Sequence, residues 1–203
     1  MKTITFYNNI INPTIVNLQK KVFNHFGYDI DQINVTDWVS HGKSVDDYLK
    51  QITDPKEIIV LFDIDAIPLN STIIKDAVKW CSDNIGIYSV AQKAVNLKNP
   101  IIHAAPSFMV FSIETFNLLG RPTFTTNLRS DCGGEMTHSA RDKGIEIRML
   151  YPSNVETPHS QLDGPIMFGY GTTYGHQIYH SFESRFKSKD GYFINKCNSI
   201  LKV

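Results

Sequence analysis

Two rhythms of apolar residues alternate along about the first 90 positions: short β-branched or aromatic runs, and stretches repeating every three or four residues. Lys2 to Tyr7 reads as a first strand, and Asn12-Pro13 as a helix start. Ile15, Leu18, Val22 and Phe26 give a helix over 14–26, closed by Gly27, and 30–35 reads as a second strand. Residues 38–43 are expected to be loop, followed by a short helix through Val45, Tyr48, Leu49 and Ile52. Beyond Asn70-Ser71, helical spacing returns over 73–80, then strands are expected at 85–90 and 107–113. The 114–119 stretch reads as a helical turn stopped by Gly120. A helix opening at 130–135 runs to Gly144, and a strand follows at 145–150. The polar stretches 92–100, 121–129 and 152–165 read as loops.

One stretch organises the rest, from Lys56 through Ile58-Ile59-Val60-Leu61-Phe62 to Asp63-Ile64-Asp65 and Pro68. A run this apolar is a strand buried on both faces, as in a parallel α/β sheet, and Pro68 is expected to prevent its continuing. With the alternating elements before it, the fold class is α/β with a largely parallel sheet. Ligands bind such proteins just past the carboxyl ends of the strands, where two carboxylates without a neighbouring Lys or Arg call for a cation.

Composition narrows the choices. At 203 residues, without repeat or linker, one domain over 1–203 is expected. Lys plus Arg and Asp plus Glu are each 20, so no net charge draws the chain to nucleic acid. Cys81, Cys132 and Cys197 are odd in number and scattered, which argues for a reduced, cytoplasmic protein. No apolar stretch is long enough to span a membrane.

Asp63 and Asp65 share a face of an extended chain. Such hard oxygen ligands suit Mn²⁺ or Mg²⁺. The alternative is that Asp63 caps a turn and Asp65 is solvated. His176 and His180, four apart, would share a face of a helix and offer metal ligands, but Gln177 departs from the hydrolytic zinc pattern. Asp131 and Glu135 stand at a helix start, either favouring the helix dipole or serving as a general base. Gly133-Gly134 between them would admit a ligand close to the backbone.

In serial order these pieces resemble the nucleotide-sugar-dependent glycosyltransferases of the GT-A fold. The matching segments are Asp63-Ile64-Asp65 with Pro68, Phe108 to Gly120, then Asp131 or Glu135 with Arg141 and Gly144, and a late histidine, His180 before His176. The resemblance implies a single GT-A-like, Rossmann-related domain with a mixed, mostly parallel central sheet flanked by helices. It also implies Mn²⁺ or Mg²⁺ held by Asp63, Asp65 and a histidine. A nucleoside-diphosphate sugar would lie against Tyr7, Asn8, Asp37, His41, Asp63 and Ile64. An acceptor hydroxyl, on a saccharide before a protein, lipid or modified nucleobase, would meet Asp131 or Glu135. A separated Asp131 and Glu135 departs from the family's adjacent acidic pair, which leaves inversion or retention open.

Two rivals share the motif. Haloacid-dehalogenase phosphatases place Asp-x-Asp after their first strand, whereas two strands are expected before Asp63, and Ile67 stands where that family prefers Thr or Val. A non-catalytic nucleotide-sugar-binding module would keep the fold without turnover.

Overall fold

Strand Ile58–Asp63 alternates its side chains between two apolar layers, with Val60 and Phe62 on one side and Ile59 and Leu61 on the other, all fully buried. A computed structural model, describing residues 1–202, builds the protein around this strand; Val203, the last residue of the expected domain, lies outside the described residues. In chain order the elements are β1 (Lys2–Tyr7), α1 (Pro13–His25), β2 (Asp31–Asn34), α2 (His41–Leu49), β3 (Ile58–Asp63) and β4 (Ala66–Pro68). Next come α3 (Ile73–Asp83), β5 (Gly86–Lys93), β6 (Ile102–Ser112), α4 (Ile113–Leu118), α5 (Gly134–Asp142) and β7 (Glu146–Leu150). The chain ends with β8 (Pro152–Asp163), β9 (Ile166–Tyr174), β10 (Ile178–His180) and α6 (Asp190–Leu201).

The six-stranded sheet runs β2-β1-β3-β6-β5-β7. Only β6 is antiparallel to its neighbours, so the mostly parallel α/β class stands. Residues of α1, α3 and α6 pack on the Val60–Phe62 face, and those of α2, α4 and α5 on the other. Burying both faces of β3 and β6 accounts for their near-continuous apolar sequence.

Several expectations are corrected. His41 to Lys43 are helical, not loop: Ser40 accepts the Lys43 N–H at 3.1 Å as an N-cap. Gly42 hides the start because it packs directly on the Phe124 carbonyl, where a Cβ would lie only 2.2 Å away. Pro68 does not stop the extended chain. A turn at Ile64-Asp65 ends β3, and the chain resumes as β4 on the edge of a second sheet, where a missing N–H is tolerated. The 152–165 stretch is strand as far as Asp163, pairing with β9; it is polar and mostly exposed on both faces, so it carries no period-two signal. This second sheet, β4-β10-β9-β8, is antiparallel throughout. The 92–100 loop is shorter than expected, because β5 continues to Lys93. His176 and His180 are not on a helix. His176 sits in the β9–β10 turn with φ 57, and His180 ends β10.

The transfer of chain from one sheet to the other depends on Gln19 of α1. Its side chain is fully buried, and its amide N–H groups donate to the carbonyls of Asp63 (2.8 Å) and Ala66 (3.0 Å). Its oxygen in turn accepts from Gln32 at 3.0 Å. These are the polar groups that a buried turn would otherwise leave unpaired, each at a cost of about 1–3 kcal/mol. Gln19→Met, close in volume but unable to donate, is therefore expected to lower stability by roughly 2–4 kcal/mol in urea denaturation without changing the slope. A loss below about 0.5 kcal/mol, the scale of an ordinary surface substitution, would contradict this role.

Candidate functional site

The turn after β3 sets two carboxylates at the carboxyl end of the parallel strands. Ile64 tucks into the core, and Asp63 and Asp65 flank it. The antiparallel register that pairs His180 with Ala66 carries the imidazole to the same place. His180 Nε2 lies 3.2 Å from Asp65 Oδ1 and 3.5 Å from Asp63 Oδ2. Donor atoms of Asp63, Asp65 and His180 all fall within 4.8 Å of one another. From α2, His41 Nε2 approaches Asp63 Oδ1 to 3.2 Å without a hydrogen-bonding angle. Asp65 Oδ2 is occupied by Ser184, whose N–H and hydroxyl donate to it at 3.3 and 2.8 Å, so Oδ1 is the atom left facing the cluster.

The electrostatics divide the pair. Burial raises the Asp63 carboxyl above its ordinary value; the Asp65 and Asp131 charges add to this and the two histidines oppose it. Burial acts the same way on Asp65 but is outweighed by His180 and the Ser184 hydrogen bonds, which hold that carboxyl below its ordinary value. For His180, burial pulls the ring downward while Asp65 and then Asp63 pull harder, so its pKa is raised. Among the described residues no Lys or Arg pairs with either aspartate. Two carboxylates and one imidazole, converging and otherwise uncompensated, are a donor set that fits Mn²⁺ or Mg²⁺.

The cluster opens into a cleft of about 710 Å³. Of the residues that the resemblance assigns to the donor, Tyr7, Asn8, His41 and Ile64 line it, and so does Asp131. Asp37 lies in an adjoining cavity of about 290 Å³ that shares Phe6 and Val39 with the cleft. His176 is exposed in its turn and does not join the cluster. Glu135 does not line the cleft either. Its Oε1 accepts from Asn127 (2.9 Å), Ser130 (2.8 Å) and Arg129 Nε (2.9 Å), while Oε2 takes Arg129 Nη2. The Arg129 hydrogen bond, working against burial and helped by Asn127 and Ser130, lowers its pKa to about 2. Asp131 is different, because Oδ1 takes the Cys132 N–H and the Thr126 hydroxyl while Oδ2 makes no hydrogen bond among the described residues. The glycines expected to admit a ligand pack on protein instead: a Cβ on Gly133 (φ 77) would meet Pro106 at 3.1 Å, and one on Gly134 would meet Ser130 at 2.7 Å.

Sequence reasoning missed Gln92, His103, Phe182 and Ser184, all of which line the cleft. A lone histidine at the start of a strand and a serine in the tail carry no spacing signal. Phe182 and Glu183 both take left-handed backbone (φ 66 and 57), a conformation uncommon for such residues, at the turn that leads from His180 to Ser184. Phe182 stacks on the His180 ring with centroids 3.9 Å apart.

No protein-family model matches the sequence, and no curated protein matches it. Solved structures do. Over 93% of this chain and 74% of the other, it superimposes on Drosophila β1,4-galactosyltransferase 7 in complex with manganese, UDP-Gal and xylobiose, with a TM-score of 0.53 at 13% identity. The mannosyltransferase PcManGT from Pyrobaculum calidifontis, in complex with GDP-Man and Mn²⁺, matches 73% of this chain with a TM-score of 0.51 at 14% identity. That match takes in 53% of the mannosyltransferase, little more than half its length. The fold is GT-A. Within the GT-A fold the Asp63–Asp65 turn stands at the carboxyl end of a central strand, as the sequence resemblance implied.

The Glu135 anchor makes a pH-dependent contribution with a definite sign. A carboxyl whose pKa falls from 4.5 unfolded to about 2 folded stabilises the protein above pH 4.5, and that stabilisation is lost as pH falls toward 2. Glu135→Gln is expected to cost about 2 kcal/mol at neutral pH, with the gap from the wild type closing between about pH 4.5 and 2 in pH-dependent denaturation. A gap independent of pH over that window would show that Glu135 acts through packing alone.

Proposed function

We propose that the protein is a metal-dependent glycosyltransferase that moves a sugar from a nucleoside-diphosphate sugar to an acceptor hydroxyl. The observation that carries this reading is the convergence of Asp63, Asp65 and His180, with no Lys or Arg paired to either aspartate among the described residues, in a GT-A fold. Structural neighbours with Mn²⁺ and GDP-Man, or with manganese, UDP-Gal and xylobiose, support the donor class and a saccharide acceptor. When bound, Mn²⁺ or Mg²⁺ neutralises charge on the departing diphosphate.

This chain's residues do the remainder. Asp65 Oδ1, Asp63 and His180 Nε2 hold the cation, and Ser184 fixes the Asp65 carboxylate so that one oxygen points inward. The nucleoside lies against Tyr7, Asn8 and His41, with Asp37 in the adjoining cavity. Lys93 and Arg185, also at the cleft, supply positive charge for phosphate oxygens. Asp131, whose Oδ2 is free, accepts the acceptor proton in an inverting reaction or orients the sugar in a retaining one. Glu135 holds the 127–135 segment in place through Arg129 and leaves the base role to Asp131. Phe182, half-buried at the cleft, offers apolar ring surface there.

The direct assay measures nucleoside diphosphate release from a panel of nucleotide sugars with and without Mn²⁺. Release is expected only with the metal, and Asp65→Asn, which can still accept from Ser184, is expected to lower it about 100-fold or more while the protein stays folded. A simple phosphomonoester should not turn over. Unchanged release in the variant, or none from any donor, would refute the reading.

A further inference from the structure

His180 is contacted on one ring face and at both ring nitrogens. Phe182 covers one ring face, Nε2 points at Asp65 and Asp63, and Nδ1 points at the end of the Gln92 side chain, 3.2 Å away. The same end of Gln92 reaches the hydroxyl of Ser107, a fully buried residue, at 2.7 Å. No other hydrogen-bonding atom meets Nδ1 among the described residues.

Two arrangements make both contacts of this trio. In the first, the Gln92 amide N–H groups donate to Ser107 Oγ and to His180 Nδ1, so a neutral ring carries its proton on Nε2, facing the carboxylates. In the second, the amide is turned by half a rotation. Its oxygen accepts from the Ser107 hydroxyl and from His180 Nδ1–H, and Nε2 presents a lone pair. The ring loses one proton from Nε2 and takes one at Nδ1, so charge is unchanged. Only the second arrangement can ligate a cation, because a coordinating nitrogen carries no hydrogen.

We propose that Gln92, anchored by Ser107, is the positioning residue that holds His180 in its cation-binding form by turning its amide oxygen to Nδ1–H. This rests on the cation-site reading above and extends it to a residue outside the ligand set. The role belongs to the trio's geometry: a hydroxyl that can donate or accept, an amide that offers either end, and a buried ring stacked on Phe182.

The test needs no sugar donor. Mn²⁺ titration of the wild-type protein, followed by the electron-paramagnetic-resonance signal of free Mn²⁺, is compared with Gln92→Leu and Gln92→Glu. Gln92→Leu is expected to weaken binding about 10–100-fold, whereas Gln92→Glu, which can only accept, binds at least as tightly as wild type. Nitrogen-15 NMR of the Mg²⁺-saturated wild type should show the His180 proton on Nδ1. Undiminished Mn²⁺ binding in Gln92→Leu, or a proton remaining on Nε2 in the Mg²⁺-saturated protein, overturns the proposal while leaving the cation site standing. A wild-type protein that binds no Mn²⁺ overturns both.

Discussion

The structure depends on one buried turn. At Ile64 the chain leaves the central parallel sheet and enters the small antiparallel one, and the backbone carbonyls at its edges, those of Asp63 and Ala66, must find donors away from water. Gln19 supplies both from α1, and Gln32 of β2 supports Gln19. The turn is thereby tied to the two elements that follow β1, and its carboxylates are carried with it. Because β4 then pairs with β10 in a fixed register, His180 is delivered opposite Ala66 and against Asp65. Residues separated by more than a hundred positions meet because of a backbone constraint, not a side-chain attraction.

That delivery has an electrostatic cost. Asp63 and Asp65 gather negative charge where burial already disfavours it, and Asp131 adds its charge from the cleft wall. Among the described residues the charges that offset it are histidines, joined at Asp65 by the Ser184 hydrogen bonds, and the result is unequal: Asp65 is stabilised as a carboxylate while Asp63 is not. Elsewhere the same chain neutralises a buried carboxylate fully, as at Glu135 with its fork to Arg129. The contrast separates an anchor from a site. One carboxylate has every acceptor position used by protein; the other cluster keeps inward-facing oxygens and lacks a permanent cation.

What could be read from the sequence follows from where the residues lie. Strand 58–63 was legible because both its faces are buried and few other structures tolerate such a run. Helices with one buried stripe, such as Ile15, Leu18 and Val22, were legible from their three-to-four-residue spacing. The β8–β9 hairpin was not, since its first strand is polar on both sides and its order comes from cross-strand hydrogen bonds. Of the site, the aspartates were evident from an apolar run ending in charge, and His180 ranked above His176 only through resemblance. Nothing local distinguished the two histidines. The distinction came from a long-range register that left one in an exposed turn and the other on a strand. Gln19, Gln92 and Ser184 are ordinary polar residues whose roles arise only from their partners in space.

The central claim is that the Asp63–Asp65–His180 cluster holds a divalent cation that in turn holds a nucleoside diphosphate. Thermal unfolding in the presence of Mn²⁺, of a panel of nucleoside diphosphates, and of both together tests it most directly, since a ligand bound only by the native state raises stability by mass action. At least one nucleoside diphosphate is expected to stabilise the protein strongly with Mn²⁺ and little without it, and Asp63→Asn is expected to remove the Mn²⁺-dependent part. Equal stabilisation with and without Mn²⁺, or none from any combination, would contradict it.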